Sequence, residues 1–298
     1  MVQPTLDRSI ELRLASATPR RPARWGSAFL QQNLASIGGE IVLVALIIVG
    51  IIGPFVAPYD PLKVQMTQRL HPPSAEHWMG TDELGRDIWS RMLHGSRATL
   101  STVVFVLAIV MVFGIPIGAI GGYVGGWTDE VFMRVSDLIL AFPPLVLAMA
   151  LVVALKPSLT TAMLAVALVR WPRYARLVRA QVLTFKQRAF VEAARAVGVS
   201  ERRILLRQIL PNCLDPVYVR ATVDAGFIVL TTASLSFIGL GAQPPQPEWG
   251  AMVASGRTYM INNWWVGVFP GLAIMLAVTG FVLVGDEIRD RLDPTLRR

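Results

Sequence analysis

The 298-residue sequence is poor in several things at once: it has one cysteine, three histidines, three lysines, and charged residues at only 16% of positions. A single cysteine, Cys213, excludes an intrachain disulfide and any cysteine-cluster metal site, so redox chemistry is not the function. No Gly-x4-Gly-Lys-Ser/Thr segment occurs, so a phosphate-cradling loop for ATP must lie on another chain. There is no long low-complexity tract and no clear internal repeat. The first apolar block follows an arginine-rich stretch and has no small-x-small cleavage site behind it, which reads as an uncleaved first helix rather than a signal peptide.

What is abundant is apolar surface. Hydrophobic residues make up 53% of the chain and the mean hydropathy is +0.52, outside the range of an ordinary soluble domain. A hydrocarbon core of about 30 Å takes roughly 20 helical residues. Six apolar blocks of about that size are read at 37–57, 100–122, 131–155, 159–171, 217–238 and 266–285, the fourth being short. Gly114, Pro116 and Gly118 in the second block and Pro143-Pro144 in the third are tolerated where neighbouring helices satisfy the freed backbone groups. The expectation is an all-α membrane protein of six transmembrane helices packed as a bundle.

A net charge of +8 and a pI near 10.3 would suggest nucleic acid in a soluble protein, but here the placement of the charge decides. Arg8, Arg13, Arg20, Arg21 and Arg24 precede the first block, ten basic residues against Glu192 and Glu201 fall in 170–211, and four arginines follow the last block. The intervening loop 58–97 balances five basic residues with five acidic ones, and Lys156 and Arg257 alone mark the other two loops on that side. The positive-inside rule then puts both termini and 170–211 in the cytoplasm, with no nucleic-acid partner and with membrane lipid as the surrounding medium. The chain divides into a cytoplasmic tail 1–36 (disordered over roughly 1–25), a first helix 37–57, an extracytoplasmic loop 58–97, a five-helix core 98–285 and a cytoplasmic tail 286–298.

The loop 170–211 reads as short helices. Ala189 to Val197 is rich in helix formers, Gly198 sits where a left-handed turn would end the helix, and Ser200-Glu201 reads as an N-cap with an acidic first turn. A second helix would run toward Pro211 with Leu206, Ile209 and Leu210 on its buried face and Arg202, Arg203 and Arg207 outward. Ala193, Ala194 and Ala196 give the first helix a slim surface with Glu192 as its lone carboxylate. That profile suits a groove on another protein, or an amphipathic helix lying on the bilayer.

Glu192-Ala193-Ala194-x3-Gly198, followed after about a dozen residues by Ile209-Leu210-Pro211, resembles the EAA loop of ABC-importer permeases. Further segments resemble the second, C-type permease of dipeptide, oligopeptide and nickel importers: Gly80-Thr81-Asp82-Glu83-Leu84-Gly85-Arg86-Asp87, Ala141-Phe142-Pro143, Trp171 to Arg176, Leu235 to Gly241, and 286–294. Two positions depart from the pattern: Gln208 stands where the general motif has isoleucine, and Thr232 where relatives often carry a carboxylate. The resemblance implies a type I ABC importer permease fold with a cytoplasmic coupling helix. It implies a contact to the ATPase made by Glu192, Ala193, Ala194, Arg195, Ala196, Val197, Gly198 and Pro211, and an extracytoplasmic family motif of Gly80, Thr81, Asp82, Gly85, Arg86 and Asp87. It also implies partners: a second homologous permease, two cytoplasmic ATPases that carry ATP and Mg, and an external substrate-binding protein, all serving an inner-membrane importer of di- or oligopeptides, nickel or haem.

Other residues admit two readings each. Asp224 lies about 14 Å inside the fifth block at 1.5 Å per residue, with Arg220 one turn earlier, so the two either hold the bundle together or, with Thr232, line the substrate pathway. His71, His77 and His94 beside Asp82 and Glu83 invite a metal site, but they lack ligand spacing, and the preferred reading is that Thr81 or Asp82 caps a short amphipathic helix carrying Leu84, Ile88 and Leu93. Trp249, Trp264, Trp265 and Tyr259 read as anchors at the membrane–water boundary, with 241–263 as an alternative contact for the binding protein. A self-contained secondary transporter would need more ionisable residues inside its helices, and an intramembrane hydrolase would need a histidine or an activated serine there. The chain is read as non-catalytic and without a cofactor or metal of its own.

Overall fold

The computed structural model describes residues 25–292, with side chains from 37 to 290; the five N-terminal arginines and two of the four C-terminal ones lie outside the described residues. The elements, in chain order, are α1 (Trp25–Val56), α2 (Ile88–Val124), α3 (Gly126–Leu140), α4 (Pro144–Leu155), α5 (Leu159–Lys186), α6 (Ala189–Ala196), α7 (Glu201–Ile204), α8 (Asp215–Phe237), α9 (Trp249–Gly256) and α10 (Trp265–Leu292). Between α7 and α8 the chain continues as a wide π turn, Leu205–Ile209, and a 3₁₀ turn, Leu210–Cys213. No strand occurs among the described residues beyond one bridge between Thr81 and Asp87.

Three stretches are by themselves long and apolar enough to cross a membrane: Ile37–Val56, Ile88–Val124 and Trp265–Asp290. The third expected block is not one straight span. It breaks at 141–143 into α3 and α4, which meet at 91° and count as a fourth crossing only if taken together. Pro143-Pro144 ends the first helix and starts the second, with Pro144 at an N-terminal position where its missing N–H costs nothing. The fourth expected block, 159–171, is the front half of the 28-residue α5, which continues through Pro172 to Lys186. Helices α5 and α8 have the length of a crossing, but Arg170, Arg173, Arg176 and Arg179 on one and Arg220 and Asp224 on the other dilute their apolar character. Residues 25–36, expected in the tail, already belong to α1.

The bundle is organised around the contact of α2 with α5, the most extensive helix pairing in the molecule. Small residues make it possible. A Cβ placed on Gly114 would lie 2.7 Å from the Tyr174 Cβ, on Gly118 it would lie 2.2 Å from the Ala175 carbonyl oxygen, and on Gly122 it would lie 2.9 Å from the Arg179 carbonyl oxygen. Three glycines four residues apart thus form a flat stripe on α2 against which the backbone of α5 rests, as in small-xxx-small packing between membrane helices. Facing it, α5 buries Tyr174, Ala175, Val178 and Val182 completely. Helices α8 and α10 pack on each other, α10 and α2 both pack on α1, and α9 wedges between α8 and α10. On α1 a row of isoleucines, including Ile41, Ile48 and Ile51, stays exposed, as a surface facing hydrocarbon should.

Introducing a side chain at Gly118 would push α5 away along its whole length, whereas Gly38 has nothing within 4 Å of its would-be Cβ. Gly118→Ala should destabilise the detergent-solubilised chain by about 1–3 kcal/mol, the range for overpacking a close contact. Gly38→Ala should leave the melting temperature within error. Equal melting temperatures for the two variants would mean that the seam is not tight.

Candidate functional site

The segment 189–213 folds onto one end of the bundle. Helix α6 buries only Val191 and Ala194, which tuck against the core. Its opposite face, with Glu192, Ala193, Arg195 and Ala196, is exposed, and it is flanked by apolar residues left open at 43% for Phe190 and 79% for Val197. Among the described residues Glu192 has no ion-pair partner. The helix ends as its sequence predicts: Gly198 takes φ +79°, a left-handed conformation that costs a side-chain-bearing residue about 1 kcal/mol or more, and its N–H donates to the Arg195 carbonyl at 3.0 Å while Val199 N–H returns to Ala194 at 3.0 Å. Ser200 stands at the N-cap position of α7, although its hydroxyl makes no cap hydrogen bond.

The second expected helix differs in its buried face. The π turn rotates the chain so that Ile204, Ile209 and Cys213 are the fully buried residues, while Leu206 is 48% exposed. Burial pushes the Cys213 thiol up to about 11. Arg202, Arg203 and Arg207 face outward, as does Pro211.

A polar knot that the sequence does not announce ties α6 to the rest. Arg195 Nε donates to Glu201 Oε1 at 3.0 Å, and the Tyr123 hydroxyl, on the last turn of α2, donates to the other Glu201 oxygen. Lys186 Nζ donates to the Tyr123 carbonyl at 2.6 Å and sits 5.3 Å above its ring. The Tyr123 hydroxyl first, and Arg195 second, hold the Glu201 carboxyl below its ordinary range.

Midway along the bundle Asp224 is fully buried on α8. Arg220 does approach it, at 3.4 Å, but the nearer cation is Arg170 of α5, with Nη1 3.1 Å away. Sequence reasoning placed Arg170 at the start of a cytoplasmic loop; it is 8% exposed in the middle of a helix. The Tyr174 hydroxyl, one turn on, is buried beside Asp224 without a well-aligned hydrogen bond. Thr232 is buried, and its hydroxyl donates back to the Ile228 carbonyl at 2.7 Å; its neighbour Thr231 faces a cavity beside Arg170.

At the other end of the bundle the segment 80–87 is a compact brace. Gly80 and Gly85 take φ +74° and +71°, and a Cβ on Gly85 would collide with the Gln65 carbonyl. Asp82 accepts from the backbone N–H groups of Leu84 and Arg86 and pairs with Arg86 Nε at 2.7 Å and Arg91 Nε at 3.4 Å. The helix cap is Asp87, not Thr81 or Asp82: its carboxylate accepts from Ser90 N–H at 2.7 Å and the helix starts at Ile88. His77 lies between Asp87 and Gln68, at 2.8 and 2.9 Å, and His94, on α2 itself, contacts the Ser90 carbonyl at 3.0 Å; the histidines do not converge. Trp249 and Trp265 are buried pins whose indole N–H groups donate to the carbonyls of Met92 and Thr81, leaving Trp264 as the exposed aromatic. Glu248, unforeseen, caps α9 by accepting from Gly250 and Ala251, and its burial holds the carboxyl above its ordinary range.

Among the described residues, a strand-free bundle of apolar helices, with a short helix exposed at one end and a braced loop at the other, is the architecture of a multi-pass membrane protein. Residues 114–298 match the family described as the binding-protein-dependent transport system inner membrane component, and residues 24–73 match the N-terminal TM domain of oligopeptide transport permease C. The chain belongs to that first family, as a C-type permease subunit of an ABC importer.

Among curated relatives, it is 44% identical to a probable D,D-dipeptide transport system permease, DdpC, of Escherichia coli K12, over 94% of this chain and 95% of that one. It is 42% identical to the dipeptide transport system permease DppC of Alkalihalophilus pseudofirmus, over 92% of this chain and 90% of that one. A glutathione transport system permease, GsiD, of Pectobacterium atrosepticum is 42% identical over 90% and 89% of the two chains. In fold it resembles a chain of the inward-facing methionine ABC transporter MetNI, with a TM-score of 0.53 at 19% identity, over 68% of this chain and 97% of that one.

The knot at Glu201 sets a pH-dependent expectation. A carboxyl held low in the folded state contributes its contacts fully above the ordinary carboxylate pKa and loses them as pH falls through its own lowered value. Hydrogen exchange across 189–197, corrected for intrinsic rate, should therefore be slow at neutral pH and rise severalfold below about pH 4, the ordinary glutamate range. Glu201→Gln and Tyr123→Phe should each give the faster exchange already at pH 7. Wild-type-like protection in both would show that the knot does not hold the helix.

Proposed function

We propose that this subunit imports short peptides, forming half of a translocation pathway and receiving its motion through α6. The exposed, slender face of α6 carries the proposal: Glu192, Ala193, Ala196 and Val197 offer a smooth, partly apolar surface with one unpaired carboxylate, while Val191 and Ala194 fasten the helix to the bundle. In this reading the contact to the ATPase comprises Glu192 to Gly198, with Pro211 setting the turn behind it. The partner ATPases, two per complex, bind ATP and Mg, and this chain contributes no catalytic residue. ATP-driven closure of the ATPases displaces α6, and the helices joined to it move as rigid bodies between two packed states.

The placement of charge supports a cytoplasmic position for α6 and both termini in the cytoplasmic membrane. The braced loop built on Gly80, Thr81, Asp82, Gly85, Arg86 and Asp87, together with 241–263, then faces a substrate-binding protein outside, and a second homologous permease completes the pathway. Peptides are favoured over nickel or haem because the relatives are named as permeases for D,D-dipeptides, dipeptides and glutathione.

The test is uptake by the assembled complex in proteoliposomes. Gly198→Asp puts a side chain and a negative charge at a left-handed position, and Glu192→Lys reverses the one carboxylate on the docking face. Both should lower ATP-dependent dipeptide uptake by at least about tenfold, equivalent to about 1.4 kcal/mol of coupling, while the subunits still co-purify. Normal uptake by both would overturn the assignment. Uptake by this chain alone, without ATPase subunits, would replace the proposal with a secondary transporter.

A further inference from the structure

The cluster around Asp224 contains more positive charge than it can neutralise. Arg170 and Arg220 both lie within 3.4 Å of a single carboxylate, so the trio carries a net charge of +1, with Arg170 and Asp224 buried in the bundle and the Arg220 side chain 41% exposed. Charge at such depth is costly and is retained where it meets a cavity or a partner. The contacts are also poorly made. Arg170 Nη1 and both Asp224 oxygens lack a well-aligned hydrogen bond, and so do Arg220 Nε and the Tyr174 hydroxyl, concentrating buried unsatisfied polar atoms at one place. Native structures rarely leave such groups unpaired without a use for them.

Arg170 is the member of the cluster with a second outlook. It lines a cavity of about 310 Å³ between α4, α5 and α8, whose walls are Pro144, Leu145, Val166, Leu230 and the hydroxyl-bearing Thr231 and Ser234. Arg170 Nη2 stands 3.4 Å from Thr231 Oγ1, and the guanidinium carbon lies 5.9 Å from the Phe227 ring centre. A second cavity of about 370 Å³ shares Leu145, Leu230 and Ser234 with the first and continues past Phe237 to Gly250 and Val253 of α9. The two adjoin along these shared residues as a mostly apolar furrow between α9 and Arg170, the single cation in their lining. A site of this volume, apolar walls and one placed charge is the usual form of a small-molecule subsite.

We propose that Arg170 forms a carboxylate-binding subsite for the C-terminal carboxylate of a peptide in transit. The inference rests on the peptide reading above. A carboxylate supplies the missing negative charge and accepts two parallel N–H groups from the planar guanidinium, a geometry lysine cannot reproduce. As it binds, Asp224 passes to Arg220, already 3.4 Å away, so no buried charge is stranded. Thr231 and Ser234 donate their hydroxyl protons to the carbonyls of Phe227 and Leu230, leaving oxygen lone pairs toward the furrow to accept a peptide N–H. Arg170 is a binding residue in this role, and Asp224 positions it.

The experiment uses the full complex in proteoliposomes, with a dialanine substrate and its C-terminal amide. Each is supplied at a concentration that saturates the isolated binding protein by fluorescence titration. Wild type should import the free acid faster than the amide. Arg170→Gln should cut free-acid turnover at least tenfold and leave amide turnover unchanged, and Arg170→Lys should lower the acid rate with the complex fully assembled. The double variant Arg170→Gln/Asp224→Asn, which keeps the cluster's net charge at +1 through the half-exposed Arg220, separates subsite from strut: a merely structural Arg170–Asp224 pair would recover free-acid uptake once both its members are neutral, while a subsite would stay defective. Equal loss for acid and amide, recovery in the double variant, or unchanged uptake in a well-assembled Arg170→Lys complex overturns the subsite while leaving the peptide reading standing. Failure of the wild-type complex to import either compound overturns the peptide reading and the subsite with it.

Discussion

Everything of functional interest in this molecule hangs from the seam between α2 and α5. Gly114, Gly118 and Gly122 bring the two backbones into contact, and the residues beside them on either helix are the ones that reach outward. Tyr174, packed on Gly114, lies one turn from Arg170 and so fixes where that arginine meets Asp224. Tyr123, next to Gly122, is thereby delivered to Glu201. In a lipid environment there is no hydrophobic gain from bringing two apolar helices together, so close van der Waals contact over a long stripe supplies the association. The seam therefore acts as a rigid column whose two ends carry different chemistry.

Rigidity along the seam contrasts with poor polar matching at its centre. A buried ion pair is seldom a net source of stability, because desolvation offsets the attraction unless every donor and acceptor is satisfied. Around Asp224 they are not. An arrangement with two cations competing for one carboxylate can exchange partners at little cost, and this is the property a moving transporter needs at the point where one packed state gives way to another. The Glu201 knot is the opposite case: exposed, fully paired, and built to keep a short helix in register with the end of α2.

Helix existence and the short helices of 189–204 were legible in the sequence because they rest on local chemistry. Apolar runs of about twenty residues, a glycine at a helix end and a Ser-Glu helix start each carry their own signal. The stretch after Arg170 was assigned to a cytoplasmic loop of short helices because the four arginines at 170, 173, 176 and 179 argue against a membrane span, whereas Tyr174, Val178 and Val182 recur every four residues and mark the buried face of one continuous helix. Once that period is seen, Arg170 falls on the same side as Tyr174 and enters the bundle. Partners distant in sequence, such as Arg170 with Asp224 or Tyr123 with Glu201, leave no trace in spacing. The cap at Asp87 was missed for a related reason: Asp82 had the right residue type, but its carboxylate is consumed by Arg86 and Arg91.

Helix α2 joins the two ends of the molecule. Its 37 residues span about 55 Å at 1.5 Å per residue, longer than the hydrocarbon core alone requires. At its start, Asp87 holds His77, and Arg91 donates to the carbonyls of Pro61 and Pro245, gathering the loops 57–87 and 238–248 at that end. At its finish, Tyr123 holds the segment that carries α6. The side chains of the 80–87 motif are spent on one another and on these loops, so the motif acts by fixing where α2 begins. A helix tied at both ends and packed flat on α5 between them links the two ends, so under the proposed coupling a displacement imposed at α6 would reach the loops at the far end as movement of this column past Asp224.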